Sequence, residues 1–223
     1  MINKNNIWIV IPAFNEEKTV GLLLENIRKT SLNTVVVNDG STDLTKNIVE
    51  KLPASLLNHK TNLGKGAAMK TGADFAFSQN AETIIFMDAD GQHDPKNIPD
   101  YVHELQEGNE IVFGKRNLGK GTPIIRLLGN KIASCLVAVF CGLYREDLLC
   151  GFIGMTKKTY QIIKWDSSGY GVETEIVART GRNKLKYSEV SIETIYNDKY
   201  KGVTVLDALE ILINLPGFIL NKR

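Results

Sequence analysis

The segment FMDADGQHDP, Phe86 to Pro95, ends an apolar run with a cluster of polar side chains. The run ETIIFM is typical of a buried strand, and Asp88 and Asp90 follow one residue apart. Alternate side chains leaving a strand point to the same side, and Gly91 allows a turn that brings in Gln92. Carboxylate and amide oxygens suit a hard divalent cation, Mg²⁺ or Mn²⁺. The pattern therefore predicts a metal site at Asp88, Asp90 and Gln92, although a solvated turn can carry the same aspartate spacing.

Apolar runs that alternate with helical patterns lie on both sides of this segment. The runs are short and rich in β-branched residues, as strands are, and the segments between them carry apolar residues at helical spacing. Because strands alternate with helices, we predict an α/β fold with a mostly parallel sheet. The predicted strands are Asn6 to Ile11, Thr34 to Val37, Ser55 to His59, the run before Asp88, Glu110 to Arg116, Gly151 to Met155 and Lys186 to Tyr196.

The predicted helices begin after polar turns. The first has two glutamates in its opening turn, and the second is capped by Ser41 or Asp43 and runs to about Leu52. Further helices are predicted at 62–79, 94–105, Arg126 to Leu143, Gly169 to Thr180 and 203–214. The last is amphipathic and ends before Pro216, and its apolar tip can contact a membrane surface or pack back onto the domain.

Polar residues follow several of the predicted strands. In parallel sheets ligands bind beyond the carboxyl ends of the strands. Asp39, Asp88, Asp90 and Arg116 all lie at such ends. We therefore expect one site at this edge of the sheet.

Composition narrows the class of protein. The chain has 223 residues and a net charge of +2, which argues against a nucleic-acid binder that depends on overall charge. Cys135, Cys141 and Cys150 lie in apolar surroundings without metal-ligand spacing, so we expect buried, reduced thiols. We find no signal segment and no uncharged run of the roughly 20 residues that span a bilayer, so we expect a cytoplasmic protein.

The predicted helix from Arg126 is apolar nearly all round. Arg126, Asn130 and Ser134 recur every four residues and form one polar stripe. The helix is either a buried core helix or the wall of a groove for a long apolar ligand with a charged head.

In a later helix, Glu173 and Glu175 are either exposed acids at a helix start or general bases.

Together the motifs IPAFNEE, VVNDGSTD, NLGKGAA, FMDADGQHDP, VFGKR and LLCGF, with the Arg126 helix, resemble the family 2 glycosyltransferases of GT-A fold. They resemble most the branch of polyprenyl-phosphate hexosyltransferases that includes dolichyl-phosphate mannose and glucose synthases. The likeness extends from Ile9 to about Gly202, with the motifs in the family's order. It implies a Rossmann-like, mostly parallel twisted sheet with helices on both faces.

The resemblance also implies roles for residues. Residues 1–223 would form a single catalytic domain, with a nucleotide-sugar-binding half at 1–116 and an acceptor-binding half at 117–223. The implied donor-binding residues are Pro12, Phe14, Glu16, Val37, Asp39, Lys65, Asp88, Ala89, Asp90, Gln92, Arg116 and Lys199. Asp88, Asp90 and Gln92 would bind the metal, and Asp90, Arg116 and Arg126 would serve catalysis. Arg126, Asn130 and Ser134 would hold the acceptor.

Two positions depart from the family's pattern. Asn38 stands where many relatives have a first aspartate, which leaves Asp39 to contact the donor. Near the C-terminus, Lys199 precedes Gly202, but Thr204 follows where relatives carry serine before lysine. The segment that would carry the phosphate contact of Lys199 therefore differs in sequence from that of the relatives.

The implied reaction is inverting transfer of a hexose from GDP-mannose or UDP-glucose to a polyprenyl phosphate, such as dolichyl or undecaprenyl phosphate. We expect peripheral contact with the cytoplasmic face of a membrane, a possible membrane-protein partner and no nucleic acid. One alternative is transfer to a saccharide hydroxyl, which requires Glu173 or Glu175 as base. Another is a non-catalytic nucleotide-sugar-binding module.

Overall fold

The structure is a computed structural model that describes residues 6–116, 124–169 and 171–193, without the side chains of 124–130 and 133. The side chains of Arg126 and Asn130, the residue Lys199 and the predicted helix at 203–214 lie outside the described residues. No described helix is both long and apolar enough to cross a bilayer.

The described strands form one sheet in the order β3-β2-β1-β4-β6-β5-β7. All neighbours are parallel except β6, which runs antiparallel to β4 and β5. The predicted mostly parallel sheet is therefore confirmed, with one reversed strand that the sequence did not reveal. The strands are β1 (Ile7–Ala13), β2 (Asn33–Asn38), β3 (Ser55–Asn58), β4 (Thr83–Phe86), β5 (Ile111–Arg116), β6 (Ile153–Thr156) and β7 (Tyr187–Ile192).

Helices cover both faces of the sheet. The alternation along β1 sends Val10 into one core, together with Met69 of α3 and Ile176 of α7. It sends Ile9 into the opposite core, which includes Leu24 of α1. The helices are α1 (Val20–Arg28), α2 (Thr45–Val49), α3 (Lys65–Ser78), α4 (Ile98–Gln106), α5 (Ile124–Cys141), α6 (Lys157–Ile163) and α7 (Val172–Arg182), and a 3₁₀ turn at Pro95–Asn97 precedes α4.

The prediction of acidic residues in the first turn of the first helix is wrong. Helix α1 begins at Val20, and its first turn contains no acidic residue. The backbone N–H of Glu16 donates to Thr45 Oγ1, and that of Glu17 donates to Asp43 Oδ2. The turn after β1 is thus hydrogen-bonded to the start of α2. Because these residues are held in the turn, α1 begins further along the chain than predicted. Helix α2 also ends at Val49, three residues before the predicted end.

The short helix α6 was not predicted from the sequence. Its N-cap is Thr156, whose side chain accepts a hydrogen bond from the N–H of Thr159. The helix follows β6 without an intervening loop, so no turn residues mark its start.

The packing of α3 against β1 depends on Gly72. A Cβ at Gly72 would lie 2.4 Å from Val10 Cγ1 and 3.1 Å from Val37 Cγ2. Because both neighbours are stiff, β-branched side chains, the helix can approach the sheet this closely only with glycine.

We expect Gly72→Ala to lower the free energy of unfolding by about 1–3 kcal/mol, because overpacking outweighs the gain in helix propensity. Urea denaturation measures this change. Gly21→Ala in α1 is the matched control, since its Cβ would meet only the Ile48 Cγ2 methyl, at 3.3 Å. Equal effects of the two substitutions would contradict the proposed constraint.

Candidate functional site

A cleft of about 190 Å³ opens at the carboxyl ends of β1, β2 and β4. Phe14, one of its lining residues, is 43% exposed. Most of the predicted donor-binding residues line this cleft, as expected because ligands bind beyond the carboxyl ends of the strands in parallel sheets. The lining residues are Pro12, Ala13, Phe14, Glu16, Asp39, Asn62, Gly64, Lys65, Ala68, Asp88, Ala89, Asp90 and Gly169.

Three of the predicted donor-binding residues that the structure describes are not among the lining residues. Val37 is fully buried within β2. Gln92 is partly buried, and its backbone N–H donates to Asp90 Oδ1 at 2.9 Å. The guanidinium of Arg116 forms two hydrogen bonds to the buried Asp147, at 2.7 and 2.8 Å. The roles assigned to these residues stay predictions.

The carboxylate of Asp39 is fixed by three donors. Its Oδ1 lies 2.6 Å from His59 Nδ1 and accepts from the N–H of Leu63, while Oδ2 accepts from the N–H of Gly64. His59 Nε2 in turn lies 3.0 Å from Thr71 Oγ1 of α3. Since each carboxylate oxygen offers about two acceptor positions, Asp39 keeps capacity for a further donor in the cleft. Sequence reasoning missed His59, although it ends the third predicted strand.

Lys65, the first residue of α3, lies between two carboxylates. Its Nζ is 2.6 Å from Asp88 Oδ1 and 2.6 Å from Glu173 Oε1. Burial alone would lower the pKa of Lys65, but the two carboxylates raise it, so the ammonium stays charged. Burial would raise the pKa of Asp88, yet Lys65 holds it below its usual value. Asp88 is therefore ionised in the folded protein.

Asp90 differs from Asp88 because no described cation pairs with it within 4 Å. Burial and the charge of Asp88 raise the pKa of Asp90 from 3.8 to about 6. A bound divalent cation would offset this repulsion, so the donor set fits Mg²⁺ or Mn²⁺. Described His, Cys, Asp and Glu side chains do not form a metal-binding group of three or more. A cation at Asp90 would therefore need the Gln92 amide or oxygens from a ligand.

Of the two interpretations of Glu173 and Glu175, the one that makes them exposed acids at a helix start is wrong, since they are 3% and 1% exposed. Their role as general bases stays a prediction. Glu173 pairs with Lys65. Glu175 accepts hydrogen bonds from the N–H groups of Asp166 and Ser167, and its Oε1 lies 2.6 Å from Arg179. The loop before α7 folds back onto the carboxylate of Glu175, while Glu173 is covered by its pairing with Lys65.

That loop, residues 164–169, packs on the start of α3. Trp165 Nε1 donates to the carbonyl of Gly66, and the N–H of Ala67 donates to the carbonyl of Ser168. A Cβ at Gly66 would lie 2.1 Å from the Ser167 carbonyl oxygen. The glycines beside Lys65 are therefore required by this close approach.

Only Ser134 of the predicted acceptor stripe on α5 has a described side chain. It is fully buried, and its Oγ has no hydrogen-bond partner among the described residues. The expectation of three buried thiols is confirmed for Cys141 and Cys150 and wrong for Cys135, which is exposed. Cys135 follows Ser134 on the helix and is rotated from it by about 100°, which takes it off the buried face and into solvent.

Comparison with known proteins adds a family match. The sequence model described as Glycosyl transferase family 2 matches residues 8–140. An uncharacterized protein of Methanocaldococcus jannaschii is 34% identical, over 96% of this chain and 92% of that protein. These matches extend beyond half of the chain.

Two further relatives carry functional names. The UDP-N-acetylglucosamine–dolichyl-phosphate N-acetylglucosaminyltransferase of Methanococcus voltae is 28% identical, over 94% of each chain. The polyprenol monophosphomannose synthase of Mycolicibacterium smegmatis is 24% identical, over 91% of this chain and 82% of that protein.

Solved structures share the fold. Glucosyl-3-phosphoglycerate synthase from Mycobacterium tuberculosis, in complex with Mn²⁺, uridine diphosphate and phosphoglyceric acid, has a TM-score of 0.78 and 19% sequence identity. The match covers 98% of this chain and 80% of that chain. The predicted GT-A fold is thus confirmed.

The raised pKa of Asp90 predicts a pH-dependent stability in metal-free protein. Folded Asp90 keeps its proton up to about pH 6, whereas an aspartate in the unfolded chain loses it near its usual value of 3.8. The folded state binds more protons in this window, so ionisation of Asp90 lowers stability as pH rises through it.

We therefore expect the Tm of Asp90→Asn, relative to wild type, to increase from about pH 4.5 to about pH 7.5 in EDTA, as followed by circular dichroism. Asp100→Asn on the exposed surface of α4 is the control. A Tm difference that is the same at both pH values, or that matches the control, contradicts the assignment.

Proposed function

The chain belongs to glycosyl transferase family 2, and on this premise we propose that it moves a sugar from a nucleotide-diphosphate sugar to a polyprenyl phosphate. The observation that carries the proposal is the cleft at the carboxyl ends of the parallel strands, which gathers Asp39, Lys65, Asp88 and Asp90. The names of two relatives, a dolichyl-phosphate N-acetylglucosaminyltransferase and a polyprenol monophosphomannose synthase, support the lipid phosphate acceptor.

The nucleoside would bind at the part of the cleft nearest β1 and β2. Phe14 offers an exposed aromatic face on which a base can stack, with Pro12 and Glu16 beside it. Asp39 offers a fixed acceptor for an N–H donor of the base. A carboxylate already held by three donors loses little conformational entropy on binding, which favours affinity.

The diphosphate would lie near Asp88, Asp90 and Gln92. These residues would hold Mg²⁺ or Mn²⁺, with Asp90 and Gln92 as direct ligands and Asp88 direct or through water. A divalent cation there supplies positive charge where the leaving diphosphate becomes more negative. Ala89 lies between the two aspartates, is buried and also lines the cleft.

The acceptor chemistry determines whether a general base is needed. A phosphate monoester is largely ionised at neutral pH, so it can attack the sugar without one. A saccharide hydroxyl needs a base, but both candidates are engaged: Glu173 with Lys65 and Glu175 with two backbone N–H groups. This engagement supports a phosphate acceptor over a hydroxyl acceptor. Single displacement by the phosphate inverts the configuration at the sugar.

The groups that would position the acceptor lie on α5. Ser134 offers a buried hydroxyl without a described partner. Arg126 and Asn130 are proposed on sequence grounds to hold the acceptor phosphate. Arg116 and Lys199 are proposed, also on sequence grounds, to bind the donor, where Arg116 would add positive charge at the diphosphate. An acceptor of this kind requires contact with a membrane surface, which we place on the cytoplasmic face.

The proposed activity predicts transfer of label from a nucleotide sugar to lipid. Purified protein with Mn²⁺ and a polyprenyl phosphate should yield lipid-extractable label from UDP-glucose, GDP-mannose or UDP-N-acetylglucosamine. Transfer only to a saccharide would favour a hydroxyl acceptor. Donor binding without transfer, even with membranes present, would favour a non-catalytic module.

Loss of the Asp90 charge should impair the chemical step. We expect Asp90→Asn to reduce kcat roughly 100-fold or more, because the charge on the leaving diphosphate is no longer stabilised. Steady-state kinetics at saturating donor measure this, with Asp100→Asn as the surface control. A change in KM alone would contradict the role.

The fixed orientation of Asp39 predicts a role for His59 in donor affinity. We expect His59→Ala to weaken nucleotide binding roughly tenfold, the equivalent of one lost hydrogen bond to a charged group. Isothermal titration with UDP and GDP measures the affinity. His103→Ala on α4 is the control, because His103 is exposed and does not line the cleft. An unchanged affinity for UDP and GDP in His59→Ala would show that His59 does not contribute to nucleotide binding.

A further inference from the structure

The ammonium of Lys65 joins two carboxylates from distant parts of the chain. Asp88 follows β4, whereas Glu173 lies in the first turn of α7, about a hundred residues after Lys65. Both N···O distances are 2.6 Å. The side chains of Lys65, Asp88 and Glu173 are 16%, 23% and 4% exposed. The group is therefore largely shielded from water. In such a buried environment the attraction between opposite charges is strong, and an unpaired charge is costly.

Asp88 is confined on both of its oxygens. Oδ1 contacts Lys65, and Oδ2 faces Gly151, the residue two positions before β6. A Cβ at Gly151 would lie 2.4 Å from Asp88 Oδ2 and 2.6 Å from Lys65 Nζ. The Asp88 carboxylate therefore lies between Lys65 and the backbone at Gly151, and a side chain at position 151 would displace one of the two charged groups.

Glu173 reaches the cleft only through Lys65. It is not among the residues that line the cleft, whereas Lys65 and Asp88 are. Its neighbours Val172, Thr174 and Ile176 are fully buried, so the first turn of α7 is held firmly in the core. Glu173 is thus placed to act on the site by way of the ammonium and not by contact with a substrate.

We propose that Glu173 is a positioning residue that shares the positive charge of Lys65 with Asp88 and so keeps Asp88 available to a divalent cation. This inference rests on the proposed function, because it concerns the proposed cation site. With Glu173 present, Lys65 is bound from two sides and neutralises Asp88 only in part. Without that carboxylate, the whole ammonium charge would oppose a cation at Asp88.

The proposal predicts the affinity for Mn²⁺. We expect Glu173→Gln to weaken Mn²⁺ binding roughly tenfold, the usual size of an effect from a group behind a metal ligand. Electron paramagnetic resonance of free Mn²⁺, with saturating UDP or GDP, whichever raises the Tm more, measures the dissociation constant without any transfer reaction. Glu173→Asp keeps the charge and should restore part of the affinity.

Thr180→Val is the matched control, because Thr180 is equally buried on α7 and its hydroxyl donates only to the carbonyl of Ile176. It should lower the Tm without changing Mn²⁺ affinity. Wild-type affinity in Glu173→Gln, an equal loss in the control, or no Mn²⁺ binding by the wild type would overturn the proposal.

A double-mutant cycle with Lys65→Met tests the route of the effect. If Glu173 acts through Lys65, then Glu173→Gln should have no further effect on Mn²⁺ affinity in Lys65→Met protein. A full tenfold loss in that background would refute the positioning role. Absence of lipid-extractable label would contradict the proposed function alone, because the Mn²⁺ measurement does not depend on the acceptor.

Discussion

The site depends on a buried ammonium that must be neutralised. Lys65 is held by Asp88 and Glu173, each at 2.6 Å, and loss of either partner would leave a charge poorly compensated away from water. This requirement ties together the start of α3, the end of β4 and the first turn of α7. The position of the Asp88 carboxylate, and with it the part of the cleft that Asp88 and Lys65 line, follows from that connection.

The surrounding backbone is arranged to support this ion pair. Glu175 binds the N–H groups of Asp166 and Ser167, which brings the loop at 164–169 onto the start of α3. The close approach of that loop leaves no space for a Cβ at Gly66. A polar interaction at one end of α7 therefore determines which residue can flank Lys65 on another helix. The glycines at positions 64 and 66 are a steric requirement of this loop, and the carboxylate of Glu175 has a structural role.

The sequence predicted the parts of the fold that depend on local pattern. Apolar runs located the strands, and the rule for parallel sheets brought Asp39, Asp88 and Asp90 to one edge, where the structure places them. Contacts between distant segments left no such signal. The partner of Lys65, the reversed direction of β6 and the burial of Glu173 all depend on tertiary packing, which hydrophobic spacing cannot report. The start of α1 was misplaced for the same reason, since its preceding turn bonds to α2.

The long separation between Lys65 and its second carboxylate has a consequence during synthesis on the ribosome. A nascent chain that has left the ribosome as far as the end of β5 already contains Asp88 and strands β1 to β5. It does not yet contain Trp165 or Glu173. Trp165 contacts the carbonyl of Gly66 across 99 positions of sequence, so this contact closes late. The cleft is therefore completed only when α7 has left the exit tunnel, and a truncated translation product would lack a finished binding site.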